Sequence, residues 1–460
     1  MTSSIPDNIL EVYKKLIDSN FEAYFVGGCT RNLLLKKPVK DWDLTTNATP
    51  EEVLKVFPDG FYDNQFGTVG IPLKKEGVVE ITTYRTEGEY KDKRHPETVS
   101  WGKKIEEDLA RRDFTINAIA LRLTTFTKGQ SPSFQIIDPF HGQKDLEKKL
   151  VKAVGDASIR FKEDALRLIR AIRIATELSF SIEENTWKKI IEDASLIENV
   201  SNERIHNELL RILKNENAYN GVMLLKDSGL LQLILPELLE GVDVSQVRPG
   251  RHHTEDVFTH NVLSLKFCPS TDPVVKFATL IHDVGKPKVE KKDEEGLVVF
   301  HNHEVVGAKI AQNICQRLKF SKKDTDKVVN LIRWHMFSVN ENLTDAGVRR
   351  FIRRVGVENV KDMMDLRVGD RLGGGTQTAE SWRLKLFKEK IEKQLKPAPF
   401  SVNDMAVDGN DLMETLKIKP GPIVGKILEK LFEEVDEDLS KNNKEYLLKR
   451  IKELKEELKN

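Results

Sequence analysis

Apolar residues recur at helical spacing across residues 8–19. There Leu10, Val12, Tyr13 and Leu16 draw one stripe down a helix. AYFVGG follows, a short apolar strand closed by paired glycines, and RNLLL resumes as a helix. DWDLTT and VVEITTYR, rich in β-branched residues, read as strands. Residues 1 to about 125 therefore mix strands and helices. From about residue 144 the strand signals nearly vanish, and DALRLIRAIRIATEL and NERIHNELLRIL each repeat an amphipathic helical stripe. VRPGRHH at 247–253 punctuates this region as a boundary. A further helical block runs to about 395, PAPF at 397–400 reads as a linker, and KNNKEYLLKRIKELKEELKN is a highly charged amphipathic helix. The expectation is an α+β protein: a small mixed α/β head followed by a mainly α-helical remainder.

With 460 residues the chain has room for about three domains. The 73 basic residues balance the 73 acidic ones, which excludes a uniformly basic nucleic-acid binder but not a local basic face. Cys29, Cys268 and Cys315 are too few and too scattered for a disulfide framework or a cysteine zinc site. Reduced thiols, the absence of a signal h-region and the absence of an 18-residue apolar run lead us to expect a cytoplasmic protein without membrane spans.

Asp41 and Asp43 flank Trp42 on an expected strand. Residues i and i+2 of a strand share a face, so the two carboxylates can hold one or two Mg²⁺ ions. Gly27 and Gly28 lie just upstream at a strand-to-helix junction, where backbone N–H groups can approach a triphosphate, and Arg31 adds a cation. Taken singly, D-x-D also suits a solvated turn and Gly-Gly an ordinary tight turn. Glu80, on VVEITTYR, is either a third acidic group or an exposed strand residue. Further along, Asp164 and Arg167 stand at i and i+3 of an expected helix, RFKEDALRLIRAIR. A carboxylate and a guanidinium on one face can read the Watson–Crick edge of a base, or form a plain surface ion pair.

FVGGCTRNLLLKKPVKDWDLTT resembles the metal-binding motif of DNA polymerase β-like nucleotidyltransferases. In particular it resembles class II tRNA nucleotidyltransferases (CCA-adding enzymes) and the related bacterial poly(A) polymerases. EDLARRDFTINAIA is similar to the second motif of that family, which implies that Arg111, Arg112, Asp113 and Asn117 bind ribose and triphosphate. IIDPFHGQKDLEKKLVKAVGD resembles the third, with Asp138 as its acidic member. EDALR matches the E-D-x-x-R motif, which implies that Asp164 and Arg167 select C and then A. Arg160, Arg170 and Arg173 extend a basic stripe suited to triphosphate or RNA backbone. NERIHNELLRIL resembles the fifth motif, which positions the neck helices. One departure is Asn32, where the family usually has aspartate; the charge is lost and the loop contact is expected to weaken.

Residues 85–98, RTEGEYKDKRHPET, resemble the flexible loop of CCA-adding enzymes that CC-only enzymes lack, and no Gly-Arg-Arg-Phe-Arg segment of poly(A) polymerases is found. His260, His282, Asp283 and Asp370 match the H…HD…D pattern of HD-domain phosphohydrolases, and His303 and His335 stand where two-metal members have further ligands. This implies a second divalent-metal site. His252, His253 and His301 read as surface histidines. Arg349, Arg350, Arg353 and Arg354 form either a solvated basic face or a phosphate contact, and the segment from Met405 to Val435 resembles the tRNA-gripping tail of bacterial CCA-adding enzymes. In PGPIVGK, glycines ahead of a helix offer N–H groups to a phosphate.

The resemblance implies a nucleotidyltransferase head at 1–145, a helical neck at 146–245, an HD body at 246–395 and a tail at 396–460. It implies CCA addition to tRNA from CTP and ATP, with Mg²⁺ as cofactor and an accessory HD activity. An A-adding enzyme or poly(A) polymerase is the near alternative. An HD phosphohydrolase with a vestigial RNA-binding head and a pure RNA-binding protein are alternatives of other classes.

Overall fold

The computed structural model describes residues 5–62, 67–73, 77–87, 99–102, 104–124, 133–246, 256–337, 339, 343–395 and 402–457. The boundary motif at 247–253, with His252 and His253, lies outside them, as do the PAPF linker and residues 88–98 of the expected loop. The chain forms two compact units, residues 1–239 with 317–320, and 240–316 with 321–460.

The first unit is built on a seven-stranded sheet. Its strands are β1 (Ala23–Phe25), β2 (Trp42–Thr46), β3 (Phe61–Tyr62), β4 (Thr68–Leu73) and β5 (Gly77–Thr83); a separate ribbon pairs β6 (Arg85–Glu87) with β7 (Val99–Trp101); β8 (Ala120–Leu123) and β9 (Phe134–Ile137) complete the sheet. The order is β3-β4-β5-β2-β1-β8-β9, antiparallel except for the parallel pair β2/β5. Parallel neighbours need a crossover, and here it runs through helix Pro50–Val56 and the β3/β4 hairpin. Thr49 and Glu52 start that helix with reciprocal bonds between side chain and backbone.

The stripe on helix Asp7–Asp18 packs against the sheet, burying Ile9, Val12, Tyr13 and Leu16. Tyr13 stacks on Phe25 with centroids 5.3 Å apart, and Phe25 meets Trp42 edge-on at 5.7 Å. Burying Trp42 turns the residues on either side of it to the opposite face.

After the sheet the unit is helical among the described residues, apart from one parallel strand pair two residues long, Leu150–Val151 with Ser181–Ile182. The expected single helix around Asp164 is two helices, Ala157–Glu163 and Leu166–Leu178. Asp164 breaks them in an extended conformation and caps the second by accepting from the Leu166 amide at 3.1 Å. An aspartate competes well with the helical backbone in this way, which a count of apolar spacing does not register.

The second unit is helical apart from one two-residue ribbon among the described residues. Asp256 caps helix Val257–Phe267 by accepting from the Thr259 amide, and this helix packs along helix Val360–Gly373. Helices Gly409–Leu416, Pro422–Glu437 and Lys444–Glu457 bury a small core of their own around Leu412, Ile427, Leu431, Leu447 and Ile451. No helix among the described residues is long and apolar enough to cross a membrane.

Candidate functional sites

Asp43 lies in β2 and Asp41 one residue before it, both facing away from buried Trp42. The parallel register sets Asp43 beside Glu80 of β5, so three carboxylates gather on one sheet face. Gly27 opens helix Gly27–Leu34 at φ +70°, and a β-carbon there would stand 3.2 Å from Asp43 Oδ2 and 3.3 Å from Arg112 Nη1. Glycine is required both by the left-handed backbone and by the approach of the carboxylate. Burial raises the pKa of the Asp43 carboxyl, Arg112 lowers it, and Asp41 raises it further. A buried carboxylate beside a second one is relieved by a cation, so the donor set fits a divalent metal.

Around this face runs a chain of polar contacts. Arg31 Nη1 donates to Asn117 Oδ1 at 2.9 Å, Asn117 Nδ2 to Asp113 Oδ1 at 3.2 Å, and Arg170 to Asp113 Oδ2 through Nη2 at 2.6 Å and Nε at 3.0 Å. Burial would raise the Asp113 carboxyl, but Arg170 and the Asn117 amide hold it well below the carboxylate range. Asp108 is fully buried and accepts from both Arg111 and Arg112, fixing the two guanidiniums at the site's edge. Sequence reading missed Asp108, although its position three and four residues before the arginines is the spacing of helical ion pairs.

Asn32 keeps a hydrogen-bonding side chain here. Its Oδ1 accepts from Arg31 Nε at 3.2 Å, and its Nδ2 donates to the Pro38 carbonyl at 3.2 Å, a bond an aspartate cannot make. Asp138 accepts from the amides of Gly142 and Gln143, so here it caps helix Gly142–Glu147.

Asp164 and Arg167 do not pair with each other. Asp164 Oδ2 accepts from Arg204 Nη2 at 2.8 Å. Arg167 bonds Glu163 at 2.6 Å and the carbonyls of Arg160 and Arg111 at 3.0 and 2.9 Å. The last contact ties the helix break to the segment that carries Arg111 and Arg112. Arg204 and Glu163 were not singled out from sequence, because Arg204 comes from a helix forty residues away. The expected free basic stripe is an ion-pair network in this chain. Arg173 is buried against Glu208 and Glu177, Arg170 engages Asp113, and Arg160 pairs with Glu163.

The second unit gathers all six HD-pattern residues. His260, His282, Asp283, His303 and His335 are buried. His260 Nε2 lies 3.2 Å from His282 Nε2, and His303 Nε2 lies 3.3 Å from His335 Nε2. Asp283 joins the two halves. Its Oδ2 faces His260 and His282, each at 3.4 Å, and its Oδ1 faces His303 at 3.3 Å and His335 at 3.6 Å. Asp370 Oδ1 completes the first half, 3.3 Å from His260.

Nδ1 of His282, His303 and His335 sits 2.7 to 2.8 Å from the carbonyls of Thr279, Phe300 and Ile332. A carbonyl only accepts, so Nδ1 carries a proton and each Nε2 is directed to the interior of the cluster. Imidazole nitrogens and carboxylate oxygens converge here as two donor groups that share Asp283, a set that would fit divalent metal ions. Burial opposes charging of His260, yet Asp283 and Asp370 lift its imidazole to about 9. Burial lowers His335. Lys286 Nζ contacts Asp283 Oδ2 at 2.5 Å and was not foreseen.

The four-arginine segment is neither a solvated face nor a phosphate contact throughout. Arg349 is buried and donates to Asp436 at 2.8 Å, and Arg353 bonds the same carboxylate at 2.7 Å. Arg354 lies over the Trp334 ring, and Arg350 is exposed. His301 is exposed, as expected.

Three family models match in order: the Poly A polymerase head domain over residues 23–152, the "Probable RNA and SrmB-binding site of polymerase A" over 179–241, and tRNA nucleotidyltransferase domain 2 over 290–451. A CCA-adding enzyme of Geobacillus thermodenitrificans is 42% identical over 232 residues, a stretch spanning 50% of this chain and 55% of that enzyme. The CCA-adding enzyme of Ligilactobacillus salivarius is 31% identical over 99% of both chains. The A-adding tRNA nucleotidyltransferase of Deinococcus radiodurans is 32% identical over 89% of this chain and 91% of its own. The fold is similar to that of the Bacillus stearothermophilus CCA-adding enzyme solved in complex with CTP (TM-score 0.74, 24% identity, 98% of each chain). End-to-end similarity at this level, over the carboxylate face just described, places the chain in the tRNA nucleotidyltransferase family to which the CCA-adding enzymes belong.

Proposed function

We propose that the chain adds CCA to tRNA 3′ ends from CTP and ATP without a nucleic-acid template. The observation that carries this reading is the tie between two chemistries within one compact unit. The Asp43 carboxyl lies within electrostatic reach of Arg112, Arg170 and Arg31, and a hydrogen-bond chain from Arg31 through Asn117 and Asp113 to Arg170 leads to the helix that carries Arg167. Gly27, Gly28, Arg31, Arg111 and Arg112 orient the triphosphate. Asp164 and Arg167 offer acceptors and donors to the base edge, C first and then A. Mg²⁺ held by Asp41 and Asp43 would supply Lewis acidity at the α-phosphate and lower the pKa of the RNA 3′-hydroxyl. The 3′-oxygen forms the new bond to the α-phosphorus in line, and pyrophosphate leaves. In domain terms the head is 1–145, the neck 146–245, the HD body 246–395 and the tail 396–460.

The test is incubation with a tRNA lacking its 3′ CCA, Mg²⁺, and CTP, ATP or both, with product length read on a sequencing gel. We expect two additions with CTP and three with both, abolished in Asp41→Ala/Asp43→Ala. One A added only to tRNA ending in CC would assign the A-adding activity of the Deinococcus relative instead. Growth with ATP on any RNA end would assign poly(A) synthesis.

A second reading concerns the second unit. The inward-facing histidines bridged by Asp283 support an accessory metal-dependent phosphohydrolase. A divalent metal at this cluster would polarise a phosphoester. Phosphatase activity lost on His282→Ala, with CTP incorporation retained, is the expected result; no metal in the purified protein would overturn it.

A further inference from the structure

The carboxylate face continues across the sheet toward its β3 edge. Asp43 stands in register with Glu80, Glu80 with Gly70, and Gly70 with Phe61, so the four form one row across β2, β5, β4 and β3. Directly opposed residues project from the same face, which puts the Phe61 ring on the face of the carboxylates. The ring lies over Gly70: a β-carbon there would stand 2.6 Å from Phe61 Cζ and 3.0 Å from Val78 Cγ1. Adjacent strands are about 4.8 Å apart, so the ring stands about 10 Å from Asp43 along the row.

Phe61 is 44% exposed and Val78 45% exposed. Pro72, opposite Val78, is exposed on the same face. Phe61, Gly70, Pro72 and Val78 carry no charge. The cations stand on the other side of Asp43: Gly27 and Arg31 belong to the helix that follows β1, and Arg112, Arg170 and Arg31 act on the Asp43 carboxyl. The two sides of the carboxylates thus differ, with guanidiniums suited to a triphosphate toward β1 and an open ring with aliphatic groups toward β3. In-line displacement brings the attacking hydroxyl from the side opposite the leaving pyrophosphate. A triphosphate on the β1 side therefore puts the RNA end on the β3 side. An exposed ring is a surface on which a base of single-stranded RNA stacks.

We propose that this surface seats the 3′-terminal base of the RNA that is extended, stacked on Phe61, with its 3′-hydroxyl toward Glu80 and Asp43. Phe61 is then a positioning residue for the acceptor end, and its role rests on the transfer reaction proposed above.

The experiment is fluorescence anisotropy of the full-length protein with 5′-labelled tRNA lacking CCA, its 3′-terminal nucleotide either intact or without its base. Wild type, Phe61→Ala and Phe61→Trp are compared. We expect removal of the base to weaken binding to wild type about tenfold. Phe61→Ala should weaken binding of intact RNA by the same factor and lose nothing more on the abasic RNA, because base and ring act as one pair. Phe61→Trp keeps a ring and should bind as wild type does, which a folding defect at this position would not allow. A full loss on base removal in Phe61→Ala overturns the proposal. Affinities untouched by the substitution also overturn it and assign the face to an occupant other than the RNA end. CTP incorporation by the same wild-type sample separates the two readings. Its absence, with the affinities as expected, overturns the transfer reaction and leaves the stacking surface standing. Its presence, with affinities indifferent to Phe61, overturns the stacking surface alone.

Discussion

Gly27 and Gly28 are adjacent in sequence and should fail in different ways when changed to alanine. At Gly27 the backbone is left-handed, φ +70°, so a side chain costs about 1–2 kcal/mol in conformation alone. The new β-carbon also meets Asp43 Oδ2 at 3.2 Å and Arg112 Nη1 at 3.3 Å, so both groups must give by a few tenths of an ångström. A misplacement of about 1 Å at a reacting centre costs about 10²-fold, so a shift of this size costs about three- to tenfold in kcat. At Gly28 a β-carbon would meet only Arg31 Nη2, at 3.8 Å, and the residue is helical. Alanine there should stabilise the head by about 0.5–1 kcal/mol. If the Gly28 amide approaches the triphosphate, however, the methyl raises KM for CTP. The assay is CTP incorporation into tRNA lacking CCA, with urea unfolding on the same samples. Gly27→Ala should lower both kcat and stability; Gly28→Ala should raise KM while stability holds or rises. Unchanged kcat and stability in Gly27→Ala would refute the close-approach argument. An unchanged KM in Gly28→Ala would refute the backbone cradle.

Three further outcomes follow from buried groups. Asp113 has its folded pKa depressed by Arg170 and Asn117, so its contribution is present above the unfolded value near 4 and is lost as pH falls through the folded one. The stability advantage of wild type over Asp113→Asn in urea should be about 2 kcal/mol at pH 7, because Arg170 is a third exposed and partly screened, and should shrink below pH about 4. Asp436→Ala leaves the buried Arg349 guanidinium without its carboxylate. It should cost about 3–5 kcal/mol, seen as an earlier urea transition of the second unit. Burial pushes the Cys29 and Cys315 thiols up to about 12 and raises Cys268. A thiol-disulfide reagent should therefore label these cysteines in urea and not in the native protein.

What the sequence made legible was the chemistry carried by short motifs. D-x-D around the buried Trp42 fixes which way the two carboxylates face. The parallel register then brings in Glu80, whose place depended on strand order and not on spacing. The HD-pattern residues lie up to about a hundred positions apart, and only the resemblance joined them before the fold did. The errors share one cause. Apolar periodicity is blind to what a polar side chain does once neighbours arrive: Asp164 stopped a helix by capping the next one, Arg349 and Arg173 turned from a basic surface into buried ion pairs, and the half-buried Arg353 joined Asp436.

That distinction bears on the base-selecting role proposed for Asp164 and Arg167. In the chain by itself, the carboxylate of Asp164 is held by Arg204 and the guanidinium of Arg167 by Glu163 and two carbonyls. Both groups are thus positioned before any nucleotide arrives, and each still has lone pairs or donors to offer. Preorganisation of this kind lowers the cost of ordering long side chains on binding. If Asp164 and Arg167 meet the base as proposed, the selection of C over U, or of A over G, would depend on Arg204 and Glu163 as much as on those two residues. Arg204→Ala should loosen Asp164 and lower the ratio of CTP to UTP incorporation while leaving total nucleotide transfer largely intact. Asp41→Ala, by contrast, should abolish transfer with either nucleotide. Equal loss with both nucleotides in Arg204→Ala would place Arg204 in the scaffold alone.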